Sequence, residues 1–107
     1  MARGDVVSDI QSVTTGANLD FQPAAGVEVM ITEVGSSNFR GTEPDKAPWV
    51  TVNLYNGTLA STLRDSSQSA TLWSREMKIF INNTRYLRIA NTDSATRNLA
   101  YCGVQTK

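Results

Sequence analysis

The chain has 107 residues, enough for one domain, and its ten Lys and Arg residues balance ten Asp and Glu residues. That balance excludes a strongly basic nucleic-acid-binding protein. The sequence has no histidine and one cysteine, Cys102, which excludes Ser-His and Cys-His nucleophiles, His-metal sites and an internal disulfide. Composition therefore argues against an enzyme, and we predict no catalytic residues, no metal site and no cofactor.

The first eighteen residues differ from the rest of the chain. Val6, Ile10 and Val13 recur at helical spacing, between Gly4 and Gly16. This pattern fits a short helix lying on the domain, or an extended arm that reaches another subunit. We therefore set residues 1–18 apart as an N-terminal arm or short helix. The candidate interface residues all lie on it: Arg3, Val6, Val7, Ile10 and Val13.

Residues 19–107 read as short strands separated by turns. Apolar and polar residues alternate within each segment, as in half-buried strands, and turn residues recur every 8–12 positions. Seven such segments are found at residues 19–21, 27–31, 50–54, 58–63, 77–81, 87–91 and 99–103, with a further short strand at Leu72-Trp73. This pattern predicts an all-β domain, an antiparallel β-sandwich of jelly-roll type with about seven to eight strands.

Three features punctuate the predicted strands. Gly35-Ser36-Ser37-Asn38 is expected to end one strand, and residues 39–48, with two prolines, form an exposed loop. Asn56-Gly57 predicts a type I′ hairpin turn, because both central positions of that turn need a positive φ. Asn82-Asn83-Thr84 predicts a second turn.

Two binding functions stay open from the residues alone. Basic residues interleave with tyrosines in the second half of the chain, as on a single-strand-binding sheet; these are Arg85, Arg88 and Arg97 with Tyr86 and Tyr101. The zero net charge argues against nucleic acid as a partner. The aromatic residues could instead form a sugar-stacking platform, although core and interface positions explain them better. They are Phe21, Phe39, Trp49, Tyr55, Trp73, Phe80, Tyr86 and Tyr101.

Five segments carry a resemblance to a known group of proteins. They read GDVVSDIQSV at residues 4–13, LDFQP at 19–23, VMITEVGSS at 29–37, FINNTRYLRIAN at 80–91 and YCGVQTK at 101–107. With these segments the chain resembles small virion structural proteins of tailed bacteriophages, of the capsid decoration or cement type.

The resemblance implies a β-sandwich that binds the outside of a capsid, commonly as a homotrimer. Its expected partners are copies of itself and the major capsid protein, with no nucleic acid and no membrane. Its expected location is the virion surface, after synthesis in the host cytoplasm. Two alternatives remain: a tail, neck or fibre component, and a carbohydrate-binding or host-adhesion module.

Overall fold

A computed structural model describes residues 2–36, 50–65, 74–93 and 96–107, and these residues form eight β-strands with no helix. The predicted loop at 39–48 and the short strand at Leu72-Trp73 lie outside the described residues. The strands are β1 (Val6–Val13), β2 (Asn18–Phe21), β3 (Val29–Ser36), β4 (Val50–Tyr55), β5 (Ala60–Asp65), β6 (Ser74–Ile81), β7 (Tyr86–Asn91) and β8 (Arg97–Gln105).

The strands form two four-stranded sheets that pack against each other. The first sheet has the order β1-β8-β3-β6, the second has the order β2-β7-β4-β5, and every pairing is antiparallel. The predicted all-β antiparallel sandwich is confirmed.

The core lies between the sheets and is built by alternation along each strand. In β7, for example, Leu87 and Ile89 are fully buried, while Tyr86 and Arg88 face outward. Phe21 of the second sheet stacks on Tyr101 of the first, with ring centroids 4.9 Å apart. The buried apolar residues are Val7, Val13, Leu19, Val29, Ile31, Val34, Val50, Val52, Met77, Ile81, Leu87, Ile89, Leu99 and Tyr101.

The helical alternative for the N-terminal segment is wrong. Residues 6–13 form strand β1, which pairs along its whole length with β8 of the same chain, from Val6 opposite Val104 to Val13 opposite Arg97. Pairing with β8 satisfies the backbone groups that a helix would have satisfied internally. Only Val7 and Val13 of this strand are buried. They are six positions apart, an even spacing that puts both on one face of a strand but not on one face of a helix.

Two local predictions also need correction. Strand β3 does not end at Gly35 but continues to Ser36, because Gly35 pairs with Ala100 on one side and Ser74 on the other. The hairpin between β4 and β5 exists, but its turn is not type I′. Among the described residues only glycines have positive φ, so Gly57 (φ 94°) adopts it and Asn56 does not.

Asparagine side chains hold the turns at Asn56 and Asn82 in the same way. The Asn56 backbone N–H donates to the Leu59 carbonyl oxygen (3.1 Å), and Asn56 Oδ1 accepts from the N–H groups of Thr58 and Leu59. Asn82 repeats this pattern: its N–H donates to the Arg85 carbonyl oxygen, and its Oδ1 accepts from the N–H groups two and three residues on. The predicted turn at Asn82 is thus confirmed, and both turns are Asx turns.

A buried polar cluster ties the two sheets together at one end of the sandwich. Asn91 of β7 donates from Nδ2 to the carbonyl oxygen of Val13 in β1 (2.8 Å), and its Oδ1 accepts from the Asp93 N–H. The buried Asp93 carboxylate accepts from Arg97 Nε at 3.1 Å. These bonds fix where β1 ends relative to the second sheet.

Candidate interaction surface

The outer face of the first sheet carries an apolar row that crosses all four strands. Consecutive members are register partners: Val6 with Val104, Val104 with Met30, and Met30 with Phe80. Val6 is 81% exposed and Phe80 57% exposed, while Met30 and Val104 are half-buried. Strand neighbours such as Val7, Val29 and Ile81 point to the core, so these strands are apolar on both faces at this level. We call these four side chains the apolar row.

A second apolar group lies farther along the same face. Ile10 is 68% exposed and stands opposite Ala100. Together with Ser8, Glu33 and Cys102, these residues line a shallow open depression of about 450 Å³. Exposed aliphatic side chains on adjacent strands of one face are typical of a surface that contacts another protein.

Glu33, which lines this depression, faces a second carboxylate on the neighbouring strand. Register places Glu33 of β3 directly opposite Glu76 of β6, just beyond the irregularity that follows Ile31, and both side chains are exposed. Like charges directly opposite in a ladder are unfavourable. Lys78 of β6 lines the adjoining groove together with both carboxylates, so the charge here is mixed, with two acidic groups and one basic group.

At the outer edge of β1, one side chain already occupies a backbone N–H group. The Asp9 carboxylate accepts from the backbone N–H of Ile10 (2.9 Å) through Oδ1 and from Gln11 Nε2 (2.7 Å) through Oδ2. An edge N–H that is already bonded is not available for pairing with another strand. Asp9 therefore prevents the Ile10 N–H from pairing with another strand and leaves the rest of the β1 edge unaffected.

The predicted interface residues divide into two groups. Arg3, Val6 and Ile10 are exposed, and Val6 and Ile10 lie on the outer face. Val7 and Val13 belong instead to the core of their own chain, so neither is on the surface. The sequence placed the candidate interface on one segment, whereas the exposed apolar side chains of this face are spread over four strands.

Sequence reasoning missed Met30, Phe80 and Val104 as surface residues. A signal for two of them was present: Met30 and Phe80 occupy positions that alternation assigns to the polar face of their strands. Their meeting in one row depends on pairings between strands far apart in sequence, such as Met30 with Val104.

The second sheet presents a different outer face, with charged and aromatic side chains that bond to one another. Arg88 donates to both carboxylate oxygens of Asp20 at 2.8 Å, and its guanidinium carbon lies 3.7 Å from the centre of the Tyr55 ring. The hydrogen bond to Asp20 is the main cause that raises the pKa of Arg88 above its ordinary value. Tyr86 meets Tyr55 edge to face at 5.5 Å. Arg88 is thus already engaged within the chain.

The predicted single-strand-binding residues come together only in part: Arg88 and Tyr86 both contact the Tyr55 ring, and Arg85 is exposed directly before β7. Arg88 and Tyr86 lie on the second sheet, Arg97 pairs with Asp93 at one end, and Tyr101 lies between the sheets. Burial, with the charge of Asp9 as a second cause, raises the pKa of Tyr101 to about 12. Of the other aromatic candidates, Phe39, Trp49 and Trp73 lie outside the described residues.

Comparisons with known proteins supply no family for this chain. No protein-family model matches the sequence, and no curated protein matches it significantly. Within the described ranges, no cluster of three or more potential metal-ligating Cys, Asp or Glu side chains occurs, and no helix is long and apolar enough to cross a membrane.

Proposed function

We propose that this chain is a non-enzymatic virion structural protein that binds and stabilises the outside of a phage capsid as a homo-oligomer, with a trimer as the expected form. The observation that carries the assembly role is the apolar row, whose two end members, Val6 and Phe80, stay exposed on the isolated chain although the row crosses an ordered sheet. The capsid as the target rests on the resemblance of five sequence segments to decoration proteins.

The physical demands of such a role match the described surface. A shell offers one binding site many times, so modest contacts per copy add up through effective concentration. The binding protein needs a rigid scaffold, exposed apolar anchors and a rim that selects its partner. The sandwich supplies the scaffold, Val6 and Phe80 supply anchors, and Glu33, Glu76 and Lys78 supply a charged rim.

A glycan-binding module is the alternative from another class, and Tyr55 with Tyr86 is the aromatic pair that it would use. Arg88 already covers one face of the Tyr55 ring, and Tyr86 packs against it edge to face. Stacking on sugar needs an open aromatic face. This arrangement makes the alternative the weaker proposal.

Purified virions of the phage that encodes this chain provide the test. We expect the chain in fixed proportion to the major capsid protein, with antibody label over the capsid in electron micrographs. Label confined to the tail would assign the chain to the tail, neck or fibre alternative. Absence of the chain from virions, together with selective signal on a glycan array, would establish the adhesion alternative.

A further inference from the structure

Among the strands that the structure describes, β1 and β6 are the two edges of the first sheet, and they run in opposite directions. Its four strands, β1-β8-β3-β6, alternate in direction, so β1 and β6 are antiparallel to each other. When a neighbouring copy is rotated about an axis parallel to the strands, its β6 runs antiparallel to β1. The strand directions therefore allow the sheet to continue from one copy into the next.

Hydrogen bonds settle which residues of β1 face the free edge. The Gln105 N–H donates to the Asp5 carbonyl oxygen (3.0 Å), so Asp5 bonds toward β8. Because bonding alternates along an antiparallel pair, Val7 and the following odd-numbered residues also bond toward β8. By this alternation the backbone groups of Val6, Ser8 and Ile10 point to the free edge. The bond from the Ile10 N–H to Asp9 Oδ1 agrees with this direction for Ile10.

The pairing of β3 with β8 likewise shows which residues of β6 face its free edge. The Thr106 N–H donates to the Glu28 carbonyl oxygen (2.8 Å), so Glu28, and Met30 two places on, bond toward β8. Met30 therefore faces Phe80 as a non-hydrogen-bonded pair. This leaves the backbone N–H and carbonyl of Phe80 directed at the free edge of β6.

We propose that copies of this chain join edge to edge, with β1 of one copy antiparallel to β6 of the next and Val6 opposite Phe80 of the next copy. This pairing gives the proposed assembly role a specific contact, and it rests on that role. Both residues have edge-directed backbone groups and outward side chains. The pairing also makes an aromatic–β-branched contact, which is favourable across strands, and continues the apolar row between copies.

The register also sets the length of the junction. Ser8 follows opposite Lys78 of the next copy, and the next position on β1 with edge-directed groups is Ile10, whose N–H is already bonded to Asp9. The junction therefore contains two hydrogen-bonded residue pairs. Because the junction joins two different edges, the rotation between neighbouring copies decides whether the assembly closes into a ring, as the expected trimer requires.

Cysteine cross-linking tests the register directly. The double variant Val6→Cys with Phe80→Cys is made in a Cys102→Ser background and oxidised. Residues of a hydrogen-bonded antiparallel pair have Cα atoms about 5.5 Å apart, within the range that a disulfide bridges. We expect covalent oligomers on non-reducing gels that revert on reduction. The mismatched variant Ile10→Cys with Phe80→Cys, displaced by four residues, should give at least tenfold less product.

Three results would overturn the proposal. Dimers from Val6→Cys alone would show that β1 pairs with β1 of another copy. Equal cross-linking in the matched and mismatched variants would show that the register is wrong. Absence of cross-links in a double variant with a wild-type circular dichroism spectrum would show that these edges do not meet.

A second variant tests the edge without cysteine. Ser8→Pro removes an N–H that faces the free edge and should leave pairing with β8 intact, so the chain should stay folded and lose association at least tenfold. A folded Ser8→Pro variant that associates like wild type contradicts the proposal. These experiments use the protein alone, whereas the virion experiment tests the capsid role, so either idea can fail without the other.

Discussion

Val6 and Phe80 stand at opposite ends of one register row, joined across the sheet through Val104 and Met30. They are separated by 74 positions in sequence, and both remain largely exposed on the isolated chain. Strand pairing thus turns apolar residues from distant segments into one continuous surface, and that surface is the main structural argument for an assembly role.

Substitutions in β1 should separate core residues from surface residues. Val7→Ala removes buried methyl groups and should lower the free energy of unfolding by about 1–3 kcal/mol. Val6→Ala removes methyl groups that are exposed on the single chain, so at a dilution at which the chain is monomeric it should change this free energy by less than about 0.5 kcal/mol. Urea denaturation measures both. Equal destabilisation by the two variants would contradict the orientation of β1.

Asn91→Ala should weaken the end of the sandwich where β1 meets the second sheet. The substitution leaves the Val13 carbonyl oxygen without the Asn91 amide and the Asp93 N–H without Oδ1, at a nearly fully buried position. Leaving such groups unsatisfied should cost about 2–4 kcal/mol in the free energy of unfolding. The exposed Asn18→Ala, on β2, serves as the control and should change it by less than about 0.5 kcal/mol. Thermal and urea unfolding should agree on this order.

Gly103→Ala should be poorly tolerated because β8 and β3 approach closely at this point. A Cβ at position 103 would collide with the carbonyl oxygen of Met30 and lie 3.0 Å from the Ile31 Cα, so backbone atoms would have to move. We expect a loss of about 1–3 kcal/mol in the free energy of unfolding. Cys102→Ala, at the neighbouring outward position, should have a smaller effect. A stable Gly103→Ala variant would show that the strands are farther apart than described.

Stability should fall in alkaline solution through Tyr101. The folded chain holds the pKa of this phenol at about 12, above its ordinary value of 10.0, because burial and the charge of Asp9 disfavour the phenolate. The folded state therefore binds more protons than the unfolded state between these values, and stability decreases as pH rises from about 10 to 12. Denaturation at a series of pH values measures this decrease. Tyr101→Phe should remove part of it, and an unchanged slope in that variant would exclude Tyr101 as the cause.

The sequence predicted the fold class well because alternation in the later strands records which side chains are buried. Leu87 and Ile89, for instance, alternate with outward residues and are fully buried. The helix prediction for the N-terminal segment was wrong because Val6 and Ile10 are apolar but exposed. The spacing of the apolar residues in this segment therefore does not show which of them are buried. The prediction of a type I′ turn was wrong because Asn56 does not adopt the positive φ that this turn needs; its side chain instead accepts hydrogen bonds from the N–H groups of Thr58 and Leu59.

The candidate surface could be predicted only in part. Val6 and Ile10 were identified because they lie on one segment with no obvious place in a core. Met30, Val104 and Phe80 could not be joined to them, because strand order and register depend on pairings between distant segments. Local pattern determines which residues face outward along a strand, whereas tertiary pairing determines which of them become neighbours.

The solution mass of the wild-type chain and of the double variant Val6→Ser with Phe80→Ser tests the central claim most directly. Light scattering on a sizing column should give an oligomer, with a trimer expected, for the wild type and a folded monomer for the variant, because both changes lie on the exposed apolar row. A wild-type monomer, or an oligomer of unchanged mass in the variant, would contradict the proposal that this chain assembles through the outer face and edges of its first sheet.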